Sequence, residues 1–210
     1  MRLLFIRHGE PDILNDTITE TGRREAELLA ERIAKTDITE FFVSTKGRAL
    51  ATAAPSLRLT KRSAAECDWL RELEVPVKRP DLNGGDSFIP WDWLPADWLS
   101  DTRFLDPVKW RDVPIFKEAG VGEAYDSAVS GFDAVLADHG YVRDGLLYRA
   151  ERPNCDTLAF FCHFGITCVF LSHLMNCSPM MLWHGLCMAP SSVTTVYTEE
   201  RRPGIASFRA

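Results

Sequence analysis

The sequence predicts an α/β fold, a three-layer α/β/α sandwich around a mainly parallel central sheet. Two observations carry that reading. Short apolar runs, Leu3-Leu4-Phe5-Ile6, Phe41-Phe42-Val43 and Thr157-Leu158-Ala159-Phe160-Phe161-Cys162, alternate with stretches of helical periodicity, and strands separated by helices join in parallel with both faces covered. Each run also ends in polar, chemically capable residues: Arg7-His8-Gly9-Glu10, Ser44 to Arg48, and His163-Phe164-Gly165. Ligands in open α/β sheets bind beyond the carboxyl ends of the strands, so three strand ends are expected to converge on one place.

The elements follow in order. After the first strand comes a polar loop with Pro11 and Asn15, and then Thr19 as a helix N-cap. Beyond it Ala26, Leu29, Ala30, Ile33 and Ala34 recur at helical spacing. The second run delivers Ser44 through Arg48 into another helix start. Between Glu123 and Asp138 the residues Ala124, Ala128, Val129, Phe132, Val135 and Leu136 share a face, with Gly140 as the stop. Asp144-Gly145, flanked by Tyr141-Val142 and Leu147-Tyr148, marks a two-residue hairpin turn. A helix should follow His163 to about Met175. The β-branched run Ser192 to Tyr197, the turn Arg201-Arg202-Pro203-Gly204 and Ile205 to Phe208 read as an edge hairpin. The segment from about Val75 to Gly122 differs in texture, being rich in proline and holding Trp91, Trp93, Trp98 and Trp110.

Composition bounds the function. With 210 residues, 46% of them hydrophobic, the chain can bury a core as a single domain spanning 1–210 without disulfides or metal. The six cysteines form no CxxC pair and no zinc-like spacing with histidine, so they read as reduced thiols of a cytoplasmic protein. No metal site and no cofactor are expected. No stretch of some 18 apolar residues runs together, which argues against a membrane span. The formal net charge of −6 argues against nucleic acid as the main partner. An anionic substrate would instead be attracted locally, by Arg7, Arg48 and His163 on an otherwise acidic surface.

Arginine offers a planar fork for phosphate oxygens, and a neutral imidazole can be a nucleophile. Arg7-His8 at a strand end therefore suggests phosphoryl chemistry. Taken in order, Arg7-His8-Gly9-Glu10, Thr19-Glu20-Thr21-Gly22-Arg23-Arg24-Glu25-Ala26, Ser44-Thr45-Lys46-Gly47-Arg48-Ala49-Leu50-Ala51-Thr52-Ala53, Leu70-Arg71-Glu72 and Cys162-His163-Phe164-Gly165 resemble the histidine phosphatase superfamily, the phosphoglycerate mutase-like group, branch 1.

The resemblance implies that His8 attacks phosphorus to form a phosphohistidine, that Arg7, Arg48 and His163 clamp the phosphoryl group, and that Glu72 supplies the proton to the leaving group and then activates water. His163 also counts among the catalytic residues. Glu74, two residues on, would project on the same side as Glu72 in an extended stretch, and Asp68 is near. Asn15 and Thr21 could touch phosphate, though a turn role for one and a cap role for the other compete with that. Glu10 is expected to shape the loop, and His139, His173 and His184 to be structural or on the surface. By the same resemblance 75–122 is an insertion over the site, a lid or side wall. The competing reading is a tryptophan-packed subdomain or the surface of a homodimer.

The function implied is metal-independent hydrolysis of a small phosphorylated metabolite. A phosphoglycerate mutase-type phosphotransferase is the alternative. Against it, Pro11, Ile13 and Leu14 stand where mutases carry serine and a tryptophan-asparagine pair, and Leu70-Arg71-Glu72-Leu73 replaces their asparagine-glutamate-arginine stretch. A phosphate-binding or interaction protein that kept the fold without turnover is a third reading, and a regulatory protein phosphatase a further variant.

Overall fold

The computed structural model describes residues 1–79, 81 and 87–210. Of the tryptophan-rich stretch, residues 80 and 82–86 therefore lie outside the described residues. Along the chain the elements run β1 (Arg2–Arg7), β2 (Pro11–Asp12), β3 (Thr17–Ile18), α1 (Glu20–Ile33), β4 (Glu40–Ser44), α2 (Gly47–Thr60), β5 (Ala65–Cys67), β6 (Val77–Lys78) and β7 (Ser87–Phe88). They continue with α3 (Pro95–Trp98), α4 (Pro114–Ala119), α5 (Val121–Asp138), β8 (Tyr141–Asp144), β9 (Leu147–Ala150) and β10 (Thr157–Cys162). The last are α6 (Phe164–Met175), α7 (Pro179–Gly185), β11 (Val193–Arg202) and β12 (Ile205–Arg209). Short 3-10 turns cover Asp68–Leu70, Thr102–Leu105 and Lys109–Asp112.

The fold is mixed α/β, with a large sheet flanked by helices. Its eight strands lie in the order β5-β4-β10-β1-β11-β12-β9-β8. The β5-β4-β10-β1 half is parallel, and every ladder from β1 to β8 is antiparallel. The C-terminal hairpin is not at an edge: β11 lies between β1 and β12, and β12 reaches β9. The edges are β5 and β8. The β8–β9 hairpin forms with Asp144 paired to Leu147, which moves its two-residue turn one position on, to Gly145 and Leu146, with Gly145 at φ 58.

The chain divides into two compact units, one of Met1–Arg71, Asp133–Phe164 and Met188–Ala210, the other of Glu72–Phe132 and Gly165–Cys187. The first unit holds the large sheet. Successive side chains of a strand point to opposite faces, so Leu4 and Ile6, Phe41 and Val43, and Ala159 and Phe161 form one core cluster with Leu29 and Ile33 of α1 and Ala49 and Ala53 of α2. On the alternate positions Phe160 stacks between Phe5, at 5.3 Å, and Phe42, at 4.9 Å. Both faces of these strands are buried, which is why they read as unbroken apolar runs. Helix α1 starts where Thr19 Oγ1 accepts the Gly22 N–H at 3.1 Å, and α5 stops before Gly140, at φ 86.

The second unit has an aromatic core of its own. Trp93 packs edge-on against Phe104 (5.3 Å) and Phe116 (5.6 Å), Trp110 against Tyr125 (5.2 Å), and Trp91 lies 5.8 Å from Trp183 of α7. Rings of this size bury enough apolar surface to organise a segment with little regular structure, each contributing about 1.5–3 kcal/mol when fully covered.

Candidate active site

In the first unit the parallel pairing brings three strand ends level. Arg7 is registered with Cys162, and the next N–H, that of His8, donates to the Cys162 carbonyl at 3.0 Å. His8 and His163 thus leave neighbouring strands side by side, their ring centroids 5.1 Å apart. Ser44, at the end of β4, lies 2.8 Å from Nε2 of His163 through its Oγ. His8, Ser44, Arg48 and His163 are all buried. The Arg7 guanidinium donates through Nη1 to the Met188 carbonyl, lies 6.0 Å from the Phe164 ring centroid, and its backbone is fixed by the Ser192 carbonyl at 3.1 Å.

The protonation state of His8 follows from its surroundings. Nδ1 is 2.8 Å from the Gly9 carbonyl, which can only accept, so Nδ1 carries the hydrogen and Nε2 keeps its lone pair. Burial, together with the positive Arg48 and Arg7 and against the opposing pull of the Gly9 carbonyl and Asp16, lowers its pKa to about 4. Burial, then Arg48 and His8, hold His163 well below the usual histidine range. Both imidazoles are therefore neutral near pH 7, and the positive charge of the site comes from the guanidinium groups of Arg7 and Arg48 and from Lys46.

Arg48 enters from the first turn of α2. Its Nη1 donates to Asp16 Oδ1 at 2.9 Å, and the other carboxylate oxygen, Oδ2, accepts the Gly47 N–H at 2.8 Å. Burial pushes the Asp16 carboxyl up, but the Gly47 N–H and Arg48 outweigh it and leave the group below its ordinary range. The helix is tied back to the first motif through Thr52, which donates to the Arg48 carbonyl at 2.8 Å and accepts the Gly9 N–H at 2.9 Å. Gly9 has no room for a side chain, since a Cβ there would lie 2.9 Å from the Gly22 carbonyl oxygen. That contact couples the first motif to the start of α1.

Arg7, His8, Arg48 and His163 are thus brought together. Asn15 donates its amide to Asp12 Oδ2 at 2.7 Å on an exposed loop. Thr21 is exposed in the first turn of α1. Glu10 accepts from Thr19 Oγ1 at 2.7 Å, consistent with a loop-shaping role. His139 lies between Asp156 (2.8 Å) and Glu40 (3.3 Å), His173 against Tyr125, and His184 on the face of Trp98.

Glu72 belongs to the second unit. Its Oε2 accepts the Gly165 N–H at 3.0 Å and its Oε1 the N–H groups of Ile166 at 2.8 Å and Leu73 at 3.1 Å, so the carboxylate caps the start of α6. Gly165 is required by that approach: a Cβ there would lie 2.8 Å from Glu72 Oε1 and 2.6 Å from the Trp91 ring. The stretch is not a regular strand, because the Glu74 and Val75 N–H groups bond back to the carbonyls two residues earlier. Glu72 is half-buried and Glu74 exposed.

Sequence reading missed Asp16 as the partner of Arg48, and gave no separate role to Ser44 or Thr52. Among the described residues no group of three or more His, Cys, Asp or Glu side chains could hold a metal ion, and no helix is long and apolar enough to cross a membrane.

Residues 3–77 match the family model described as the histidine phosphatase superfamily (branch 1). A probable phosphatase of Schizosaccharomyces pombe is 37% identical over 91 residues, which cover 39% of this chain and 38% of that protein. The match therefore spans well under half of that relative. Among solved structures, a mycobacterial glucosyl-3-phosphoglycerate phosphatase superposes with a TM-score of 0.62 at 17% identity, covering 99% of this chain and 95% of that one. The phosphoserine phosphatase of Entamoeba histolytica, in complex with 3-phosphoglyceric acid, gives 0.58 at 18%, covering 100% and 96%. A protein titled mycobacterial hydrolase 2 gives 0.63 at 19%, covering 99% and 88%. At these identities the structural likeness is one of fold.

Proposed function

With the pattern of the histidine phosphatase superfamily, branch 1, matched over residues 3–77 and the fold of such phosphatases running along the chain, we propose that this protein is a phosphatase acting on a small phosphorylated metabolite. The observation that carries the reading is a buried, neutral His8. Its Nδ1–H is committed to the Gly9 carbonyl, and its Nε2 lone pair is left for phosphorus, in a cluster with Arg7, Arg48 and His163.

Phosphoryl transfer asks a protein mainly to position the group and to neutralise charge on its equatorial oxygens. The two arginines supply the charge, and His163, buried and neutral, supplies a hydrogen-bonding edge. Nε2 of His8 forms the bond to phosphorus as the ester P–O bond breaks. The leaving oxygen takes its proton from the Glu72 carboxyl. Water, giving a proton back to Glu72, then cleaves the phosphohistidine to inorganic phosphate and regenerates His8. No step calls on a metal.

A second reading is favoured by one observation. The Glu72 carboxylate accepts three backbone N–H groups as the cap of α6, and a residue held for that purpose leaves a phosphate-binding protein without turnover. The departures of the first and acid motifs from the mutase pattern weigh against a phosphotransferase.

Hydrolysis of a generic aryl phosphate by wild type and His8→Ala, with chelator present and vanadate as competitor, separates the readings. Chelator-resistant, vanadate-sensitive turnover that is lost in the variant is the expected result. Vanadate binding without turnover in either protein would refute hydrolysis of a generic aryl phosphate and leave a mutase or highly selective enzyme and the binding protein, which a screen of phosphorylated metabolites then separates.

A further inference from the structure

We propose that Asp16 is a built-in counter-ion of the anion site, one that competes with a bound phosphoryl group for Arg48 and so sets how tightly the protein holds phosphate. This rests on the proposed function only in taking Arg48 as a phosphate ligand. The two oxygens of Asp16 are bound by the two kinds of donor a phosphoryl group seeks, a helix N-terminal amide (Gly47 N–H, 2.8 Å) and a guanidinium (Arg48 Nη1, 2.9 Å). A carboxylate thus stands where an anion would be drawn.

The pair is asymmetric in a way that decides which partner yields. The Arg48 side chain is 8% exposed and the Asp16 side chain 45% exposed. Asp16 can turn out into water at little cost, whereas Arg48 is held in the protein. Asp16 also has φ 44, the left-handed region that costs a residue with a Cβ some energy. Its N–H has only a long contact, 3.4 Å, to the Ile13 carbonyl. The contacts at Gly47 and Arg48 therefore keep Asp16 in place, and an anion that takes Arg48 removes one of them.

Gly47 is the other half of the device. A Cβ at that position would lie 2.1 Å from the Asp16 carbonyl oxygen and 3.3 Å from Oδ2, so the loop can lie against the start of α2 only if that residue is glycine. The charged and titratable groups around the site are Arg7, Lys46 and Arg48 on the positive side, with His8 and His163 between them. Against these, the negative charge of Asp16 cancels about one positive charge. Two like charges some 5 Å apart in a partly solvated site repel enough to weaken binding about tenfold.

The test is titration calorimetry of the full chain with inorganic phosphate, for wild type, Asp16→Asn, Asp16→Ala and Arg48→Ala, alongside KM and kcat for an aryl phosphate. Removing the carboxylate by either substitution should tighten the phosphate Kd about tenfold and lower KM by a similar factor. Arg48→Ala should weaken binding, and adding Asp16→Asn to it should tighten Kd by less than the same substitution does with Arg48 present, because only the repulsion and not the competition for Arg48 is then relieved. If Asp16 merely positions Arg48, both Asp16 variants will bind phosphate more weakly, Asp16→Ala the more so, and the inference is overturned. An unchanged Kd in folded variants overturns it equally. Tighter phosphate binding by the Asp16 variants in a protein that hydrolyses no phosphate ester would sink the phosphatase reading and leave this inference standing. No phosphate binding by any variant would overturn both.

Discussion

Acidifying the protein from pH 7 to pH 4 should remove stability through His8. In the folded chain this histidine is buried beside Arg48 and Arg7 and titrates at about 4, whereas an unfolded histidine titrates at about 6.5. Between those values the unfolded chain binds a proton that the native chain refuses. Stability therefore rises with pH across the window, and is lost as pH falls from about 6.5 to about 4. The difference between the two pKa values amounts to about 3 kcal/mol, at a slope of up to about 1.4 kcal/mol per pH unit. His163, shifted in the same direction by burial and by Arg48 and His8, adds to the slope. Carboxylates contribute too, so the measurement is a difference. Urea unfolding of wild type and His8→Asn is followed from pH 7 to pH 4, asparagine being able to keep a donor toward the Gly9 carbonyl. The variant should lose about 3 kcal/mol less than wild type across the window. Parallel curves for the two proteins would mean that His8 is protonated as easily folded as unfolded, and the argument for a neutral nucleophile would fail.

Glu72→Gln should lower turnover by about 10²–10⁴-fold, the usual worth of a general acid, while Glu74→Gln, on an exposed side chain, should leave kcat near wild type; steady-state kinetics that rank the two the other way would move the acid to Glu74. Gly165→Ala forces a Cβ against Trp91 and Glu72 Oε1 and should cost about 1–3 kcal/mol, read as a lower urea midpoint at unchanged m-value. Thr19→Ala removes the acceptor of the Gly22 N–H and should cost about 1 kcal/mol by the same measurement.

What was legible in the sequence was what short-range chemistry writes there. Apolar runs gave the buried parallel strands, Thr19 gave a helix start, and the residues at the run ends gave Arg7, His8, Arg48 and His163, because parallel pairing brings such ends level whatever lies between them. Strand insertion is different in kind. β11 is only partly buried along most of its length, so its pattern is that of a strand with one open face, and nothing local reveals that it pairs with β1 rather than lying at an edge. The hairpin turn of β8 and β9 was found but misplaced by one residue, since Gly145 takes the left-handed conformation equally well as the first or second turn residue.

The site shows the same division. Asp16 and Gly47 are 31 residues apart, and neither is unusual by itself: an aspartate in a polar loop and a glycine before a helix each have ordinary explanations. Their meaning is joint. The glycine is the space into which the loop backbone fits, and the aspartate is the charge that the fit delivers to Arg48. Glu72 and Gly165 form a second such pair, in the other unit: the carboxylate reaches the N–H groups that open α6 only because no side chain stands at Gly165. In both cases a glycine that reads as one letter of a motif is the footprint of a carboxylate elsewhere in the chain. An acidic residue lying in a loop and a glycine at a helix start are thus worth reading as one feature when each sits beside a motif that is otherwise matched.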